Sequence, residues 1–324
     1  MYSVEPLSPN LGFGAVIRGI GSEDIVLPEQ RAELRRLWEE HGLLVFKGTH
    51  DLTTQFHIEL SRCFGDLQRH FAEDMLVEGQ PELISFRSDP ERDGIFEVDG
   101  ELRSGYIPWH SDFRWMAHPN RGGILRILRQ PPEGGETGFL DGMTAYESMP
   151  DELKARIEGR EVVYQMVTDD RMFRFHRGHR IRTIELGSSK TRVREQPPGK
   201  FPPVAYPFVM TLPESNRKYL SYSPFMAQYV LGMDDKASEE LLFDLSDYYT
   251  DSARAYFHEW ELGDLVLWDN WRMLHQAEGA KLGEDREGVR TTIAGEYPTG
   301  RQLEEGGWKF DDPLHTNLEA SAAE

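Results

Sequence analysis

The N-terminal quarter of the chain carries helical patterns around one apolar run, and the rest reads mainly as short strands. PEQRAELRRLWEEHG (28–42) predicts a helix, with Pro28 in its first turn and Gly42 just past its end. LLVFKG (43–48) follows as a short buried strand. TTQFHIELSRCFGDL (53–67) reads as a second, amphipathic helix that carries Cys63. From residue 82 onward, stretches of strand length alternate with Gly/Pro turns: ELISFRS, GGILRILRQ, TGFLD, REVVYQMV, KYLSYS, DLVLW and VRTTIAG. That spacing predicts a mainly β fold with flanking helices, a sandwich or jelly roll rather than an alternating parallel sheet. Helices interrupt it at 142–158 and 234–249, and PPEGGE (131–136) is a turn. Segments 89–105 and 169–203 show no regular period and read as irregular insertions, of a length that often serves as a lid. No linker divides the pattern, so residues 1–324 read as a single domain, with a β core over about 82–300 and a frayed tail, EASAAE.

Composition narrows the class. Hydrophobic residues make up 39% of the 324 positions, enough to build a sizeable core. No run of apolar residues is long enough for a transmembrane helix, and MYSVEPLSPN lacks the basic-then-apolar pattern of a secretory signal. The lone Cys63 excludes an intrachain disulfide and any multi-cysteine metal site, so a reducing cytoplasm is the expected location. A net charge of −20 argues against nucleic acid and anionic membranes as partners.

The chemistry begins at His110-Ser111-Asp112 in YIPWHSDF. In extended backbone, residues i and i+2 project to the same side, so an imidazole and a carboxylate can converge on one ion. The best third ligand is His275 in LVLWDNWRMLHQA, on or just after a strand. Two histidines and one carboxylate leave coordination positions open, which suits non-heme Fe(II) and oxygen chemistry. Zinc hydrolases use similar ligands, so this set by itself does not choose the metal.

Four blocks, in this order and spacing, carry a resemblance: WHSD (109–112), PPEGGETGFLDGMTAYESMP (131–150), GDLVLWDN…LHQA (263–277) and VRTTIAG (289–295). With them the sequence resembles, over about residues 10–300, the taurine/2,4-dichlorophenoxyacetate dioxygenase (TauD/TfdA) family of Fe(II)- and 2-oxoglutarate-dependent oxygenases. The resemblance implies a double-stranded β-helix, a jelly-roll, cupin-like fold, with His110, Asp112 and His275 as iron ligands. It also implies that Thr137 and Arg286 bind 2-oxoglutarate, while Arg290 grips either the cosubstrate or an acidic substrate. A guanidinium suits either task, because it pairs with a carboxylate or sulfonate through two parallel hydrogen bonds. His70 and Tyr106 fall at substrate-contacting positions. Trp109, Phe113 and Trp115 are pocket or core aromatics. The implied reaction uses O2 to decarboxylate 2-oxoglutarate to succinate and CO2 and to hydroxylate a C–H of a small carboxylate or sulfonate, in some cases breaking a bond. Asp112 argues against halogenation, since related halogenases carry a small residue there.

Several positions depart from the family pattern: Trp271 stands where an Arg is usual, and Tyr206 and Leu212 stand for two histidines. Ser221 occupies what is often an aromatic pocket position. These changes leave the substrate open, together with desaturation or cyclisation in place of hydroxylation. Two readings compete with the oxygenase: a non-catalytic jelly-roll protein that binds a metal or small acid, and a metal-dependent hydrolase. Homo-oligomerisation also stays open. One charge feature stands out. Residues 171–200 hold nine basic residues against Glu185 and Glu195, which suggests a basic lid that steers a small anion toward the metal. A subunit contact or a solvated loop would account for the same charge.

Overall fold

The computed structural model describes residues 2–49, 51–196 and 199–305; the tail expected to fray lies outside the described residues. Two facing sheets dominate. The larger has eight strands, in the order Ser3–Pro6, Ala15–Arg18, Leu43–Lys47, Leu265–Asp269, Gly122–Arg129, Glu287–Thr291, Gln80–Arg87 and Leu76–Val77. Its neighbours run antiparallel except for the parallel pair Ala15–Arg18 and Leu43–Lys47. The smaller sheet has four strands, in the order Tyr256–His258, Thr137–Asp141, Met273–Ala277 and Ile107–His110. This is the double-stranded β-helix that the strand texture and the resemblance implied.

The sheets are joined by apolar side chains rather than by backbone. Phe139 and Met273 of the smaller sheet pack with Leu125, Ile127, Val266 and Trp268 of the larger. On the other face of the larger sheet, the helix Pro28–His41 lays Leu34, Leu37 and Trp38 against Leu44, Phe46 and Leu267. Truncating one such buried leucine to alanine costs roughly 2–5 kcal/mol, through lost transfer energy and a residual cavity. Gly42 ends that helix with φ of 72°, a left-handed value that suits glycine.

Three local expectations need correction. The second helix stops at Ser61, so Cys63 lies in the turn beyond it, buried, where burial pushes its thiol up to about 11. The span 142–158 is two helices, Gly142–Ser148 and Asp151–Ile157. Pro150, which has no N–H to donate, separates them. The insertions are not irregular either. Segment 89–105 forms a one-turn helix, Pro90–Asp93, and a hairpin, Ile95–Val98 with Glu101–Ser104. Segment 169–203 supplies the strand Ile181–Glu185, which pairs with Ile95–Val98, and the helix Ser188–Arg194. The strand Ile181–Glu185 finds its partner only in the other insertion, a long-range pairing that no local period reveals.

The clasp between them is tight at two glycines. Gly94 has φ of 87°, and a Cβ there would strike the Glu185 carbonyl. A Cβ on Gly187 would in turn strike the Arg92 carbonyl and the Gly94 nitrogen. Only glycine at both positions lets the two backbones touch. Together the insertions roof one end of the space between the sheets.

Candidate active site

His110 and His275 sit opposite each other on adjacent strands of the smaller sheet, their ring centroids 4.0 Å apart. The strand Ile107–His110 ends at the histidine, so Asp112 is not in the extended run expected of it. A turn delivers it instead, with Phe113 at a left-handed φ of 56°. The turn is held from both sides. The Asp112 N–H donates to Asn270 Oδ1 at 2.7 Å, and Asn270 Nδ2 donates to the Asp112 and Asn120 carbonyls. Ser111 Oγ donates to the Met273 carbonyl. Asn270 and Asn120 went unassigned in the sequence, although Asn270 lies inside the WDN block.

The ligand atoms of His110, Asp112 and His275 all lie within 4.8 Å of one another. The Nε2 atoms of His110 and His275 stand 3.6 and 3.7 Å from Asp112 Oδ1. Those gaps are too long for hydrogen bonds, yet below twice a metal–ligand bond of roughly 2.1 Å, so one ion can bridge them. His110 Nδ1–H donates to the Pro108 carbonyl at 2.8 Å, which turns the Nε2 lone pair toward the ion position. Burial opposes the charge of Asp112, but the Arg290 guanidinium beside it more than offsets that and holds the carboxyl well below its ordinary range. Burial, then the facing His110 ring, keeps His275 neutral. The donor set therefore fits a divalent cation.

A cavity of about 360 Å³ opens beside this triad, and every sequence-assigned site residue lines it: His70, Tyr106, Thr137, Arg286 and Arg290 with the three ligands. Thr137 and His275 share one face of the smaller sheet, through the register Thr137↔Ala277 and Phe139↔His275. Across from them, Arg290 lies within the strand Glu287–Thr291 and Arg286 just before it.

The two arginines differ in what they hold. Arg290 Nη1 donates to Asp112 Oδ2 at 2.7 Å, and its guanidinium lies 5.1 Å from the Phe86 ring centroid and 5.6 Å from that of Trp268. Arg286 is 8% exposed, Nε donates to the Gly135 carbonyl, and Nη2 has no partner among the described residues. Burial pushes its guanidinium down to about 10, with Glu136 partly offsetting that. A buried cation without a carboxylate is costly unless a ligand supplies one.

Thr137 is itself oriented. Trp260 Nε1–H donates to Thr137 Oγ1 at 3.1 Å. An indole nitrogen can only donate, so the Thr137 hydroxyl keeps its own hydrogen for another acceptor. Sequence reading missed Trp260, which lies on a different loop, in HEWELGD.

On the substrate side, His70 Nδ1 accepts the Ala72 N–H at 3.1 Å, so its Nε2 carries the hydrogen. Burial, then Arg290, pushes this imidazole down to about 3, leaving a neutral donor. The Tyr106 hydroxyl is buried without a partner among the described residues, and burial raises it well above its ordinary range. Phe71, Phe96, Phe173 and Phe225 supply an apolar wall.

Ser221 does not line the cavity; it accepts a hydrogen bond from Arg114 Nη1, whereas Phe225, four residues on, does line it. Tyr206 is buried and donates to the Met116 carbonyl. Trp271 packs under Arg121, while the next residue, Arg272, makes a buried ion pair with Asp141 at 2.7 Å. These departures from the family pattern thus concern the frame more than the site.

The basic segment is also not what its charge suggested. Arg171, Arg174, Arg177, Arg182 and Arg192 pair with Asp169, Glu239, Asp247, Glu97 and Asp74, at 2.6 to 3.0 Å. The charge of these five is answered locally, so they project less field than the run of basic residues suggested.

Comparison with known proteins agrees with this geometry. The family model "Taurine catabolism dioxygenase TauD, TfdA family" matches residues 3–292. The (S)-phenoxypropionate/alpha-ketoglutarate-dioxygenase of Sphingobium herbicidovorans is 30% identical over 295 residues, 91% of this chain and 96% of that protein. The alpha-ketoglutarate-dependent 2,4-dichlorophenoxyacetate dioxygenase of Cupriavidus pinatubonensis is 30% identical, covering 89% and 96%. Among solved structures, a taurine dioxygenase from Burkholderia xenovorans superposes with a TM-score of 0.70 at 24% identity, covering 94% of this chain and 95% of its own. AAD-2, in complex with Mn(II) and N-oxalylglycine, gives 0.69 at 23%, covering 92% and 99%. No helix among the described residues is long and apolar enough to cross a membrane. The chain belongs to the taurine catabolism dioxygenase TauD, TfdA family and is an alpha-ketoglutarate-dependent dioxygenase.

Proposed function

We propose that the protein uses Fe(II), 2-oxoglutarate and O2 to hydroxylate an unactivated C–H of a small anionic organic substrate, releasing succinate and CO2. The balance is one 2-oxoglutarate, one O2 and one R–H in, and one succinate, one CO2 and one R–OH out. The observation that carries the reading is the uncancelled Arg286 guanidinium, lining the same cavity as the His110–Asp112–His275 cluster. A hydrolase has no need of a second buried anion site beside its metal, and a mere binder has no need of open metal positions.

Bound iron would supply the oxygen-activating chemistry, held by His110 Nε2, one Asp112 oxygen and His275. The chain's own groups do the rest. Arg286 pairs with the distal carboxylate of 2-oxoglutarate, and Thr137, its oxygen occupied by Trp260, donates its hydroxyl hydrogen to the same group. Arg290 keeps Asp112 ionised and points one carboxylate oxygen away from the metal position. His70 Nε2–H and the Tyr106 hydroxyl offer neutral donors to the substrate, and the phenylalanine wall keeps water from the reacting C–H.

The test is an oxygen-dependent succinate assay on iron-loaded protein with a panel of carboxylates and sulfonates, alongside calorimetric titration of N-oxalylglycine into Mn(II)-loaded protein. Substrate-stimulated succinate and metal-dependent N-oxalylglycine binding are expected. Absence of both sinks the reading.

A further inference from the structure

Nearly every cation near the cavity has its charge answered. Arg290 has Asp112, Arg92 has Asp93 at 2.8 Å, and Arg192 has Asp74, while Arg114, which has no carboxylate partner among the described residues, gives its guanidinium to Ser221 Oγ, the Trp271 carbonyl and the Tyr206 ring. Arg286 is taken by the cosubstrate in the function proposed above. Lys190 is the exception on the substrate side. It lies on the helix Ser188–Arg194, in the insertion that roofs the cavity, and it lines that cavity. Its Nζ donates to the Asp93 backbone carbonyl at 3.3 Å and sits 4.5 Å from the centroid of the Phe96 ring. No carboxylate among the described residues forms an ion pair with it. Asp93, whose charge reaches it, already gives both carboxylate oxygens to Arg92. Lys190 is half-buried, and that burial pushes the ammonium down to about 8, which still leaves it mostly protonated at neutral pH.

An ammonium has three hydrogens, and a neutral carbonyl with one aromatic face answers them only in part. The cavity that Lys190 and the metal ligands both line is also lined by Phe71, Phe96, Phe173 and Phe225. The two together describe a ligand: an apolar or aromatic body with an acid group at one end.

We propose that Lys190 is the anchor for the substrate's anionic group, held under the roof so that the apolar body runs down the phenylalanine wall and presents a carbon remote from the acid to the metal. This rests on the oxygenase reading and adds the substrate class and its orientation. It also separates this site from one in which the acid is held beside the metal by His70 and Arg290. Here Arg290 is already occupied by Asp112, and His70 offers a single neutral donor.

The test uses full-length protein loaded with Mn(II) and N-oxalylglycine, titrated calorimetrically with ω-phenylalkanoates from phenylacetate to 6-phenylhexanoate and with their uncharged primary amides. For the best-fitting acid, the wild type should prefer acid over amide by roughly ten- to a hundredfold, the range expected of a charge-assisted hydrogen bond. Lys190→Met keeps the stem that packs under the roof and should bring that preference to within about threefold of unity. Lys190→Arg should retain most of it. N-oxalylglycine affinity should stay the same in both variants, a readout that general damage to the site would move. The anchor is overturned if Lys190→Met keeps the acid preference, which would assign the anion to His70 and Arg290. It is equally overturned if no acid is favoured over its amide in the wild type. A wild-type protein that fails to bind N-oxalylglycine, seen before any acid is added, overturns the oxygenase reading and takes the anchor with it.

Discussion

Two groups of cations in this protein have the same chemistry and opposite meaning. The arginines on the outer side of segment 171–194 are mostly exposed, and five of them meet a carboxylate. Arg286 and Lys190 line the cavity, and neither has an ion-pair partner among the described residues. In the linear sequence the outer group looks more functional, because it is concentrated. In the folded molecule the inner group does, because a charge wholly or partly withdrawn from water and left without a counter-charge is costly unless a ligand answers it. A paired surface arginine contributes at most about 1 kcal/mol and projects little field beyond its partner.

That contrast can be broken by experiment, starting at the metal. Asp112→Ala should weaken Mn(II) binding by more than about a hundredfold and take succinate formation to background, since even supporting residues of metal sites are worth 10–100-fold. Metal titration followed by turnover would check this, and near-normal affinity would remove the triad from the site. Arg286→Met should raise the N-oxalylglycine dissociation constant by roughly a hundredfold through loss of a bidentate, charge-assisted pair. Arg286→Lys should recover only part of that, because an ammonium cannot reproduce the planar fork. An effect below about threefold would mean that Arg286 is a structural cation after all.

Smaller changes sharpen the comparison. Trp260→Phe deletes the donor that orients Thr137, so the KM for 2-oxoglutarate should rise by about fivefold, with substrate KM and thermal stability nearly unchanged. A matching loss in both Michaelis constants would indicate a packing role instead. At the far end, Arg174→Gln with Arg177→Gln should leave KM for an anionic substrate within about twofold and lower Tm by a few degrees at most, at low salt as at high. A salt-dependent rise in KM would show that these arginines steer the substrate despite their carboxylate partners.

The site was more legible in the sequence than its frame. His110, Asp112, His275, Thr137 and Arg290 sit in short, ordered blocks whose residue types are dictated by the chemistry, Arg286 lies just before the last of these blocks, and all six line one cavity. Trp260 and Asn270 act by holding other residues, and that role has no residue-type signature. Lys190 was only one of nine basic residues in a charged run. The insertions misled for a related reason. Their strands, Ile95–Val98 and Ile181–Glu185, find each other across more than 80 residues, and the pairing depends on glycines 94 and 187 meeting backbone to backbone.

The linear chain by itself determined the class of fold, through strands broken by Gly/Pro turns, and the kind of chemistry, through a histidine–carboxylate motif with its distant partners. Periodicity and ligand identity are local properties, and the order of residues carries them intact. Which cations are neutralised was decided only in three dimensions. So was the assignment of Arg290 to Asp112, leaving Arg286 open, and the arrangement by which one lysine of the roof faces the cavity while its arginine neighbours face carboxylates. Charge pairing depends on distance and burial, and both arise when segments far apart in sequence are brought together.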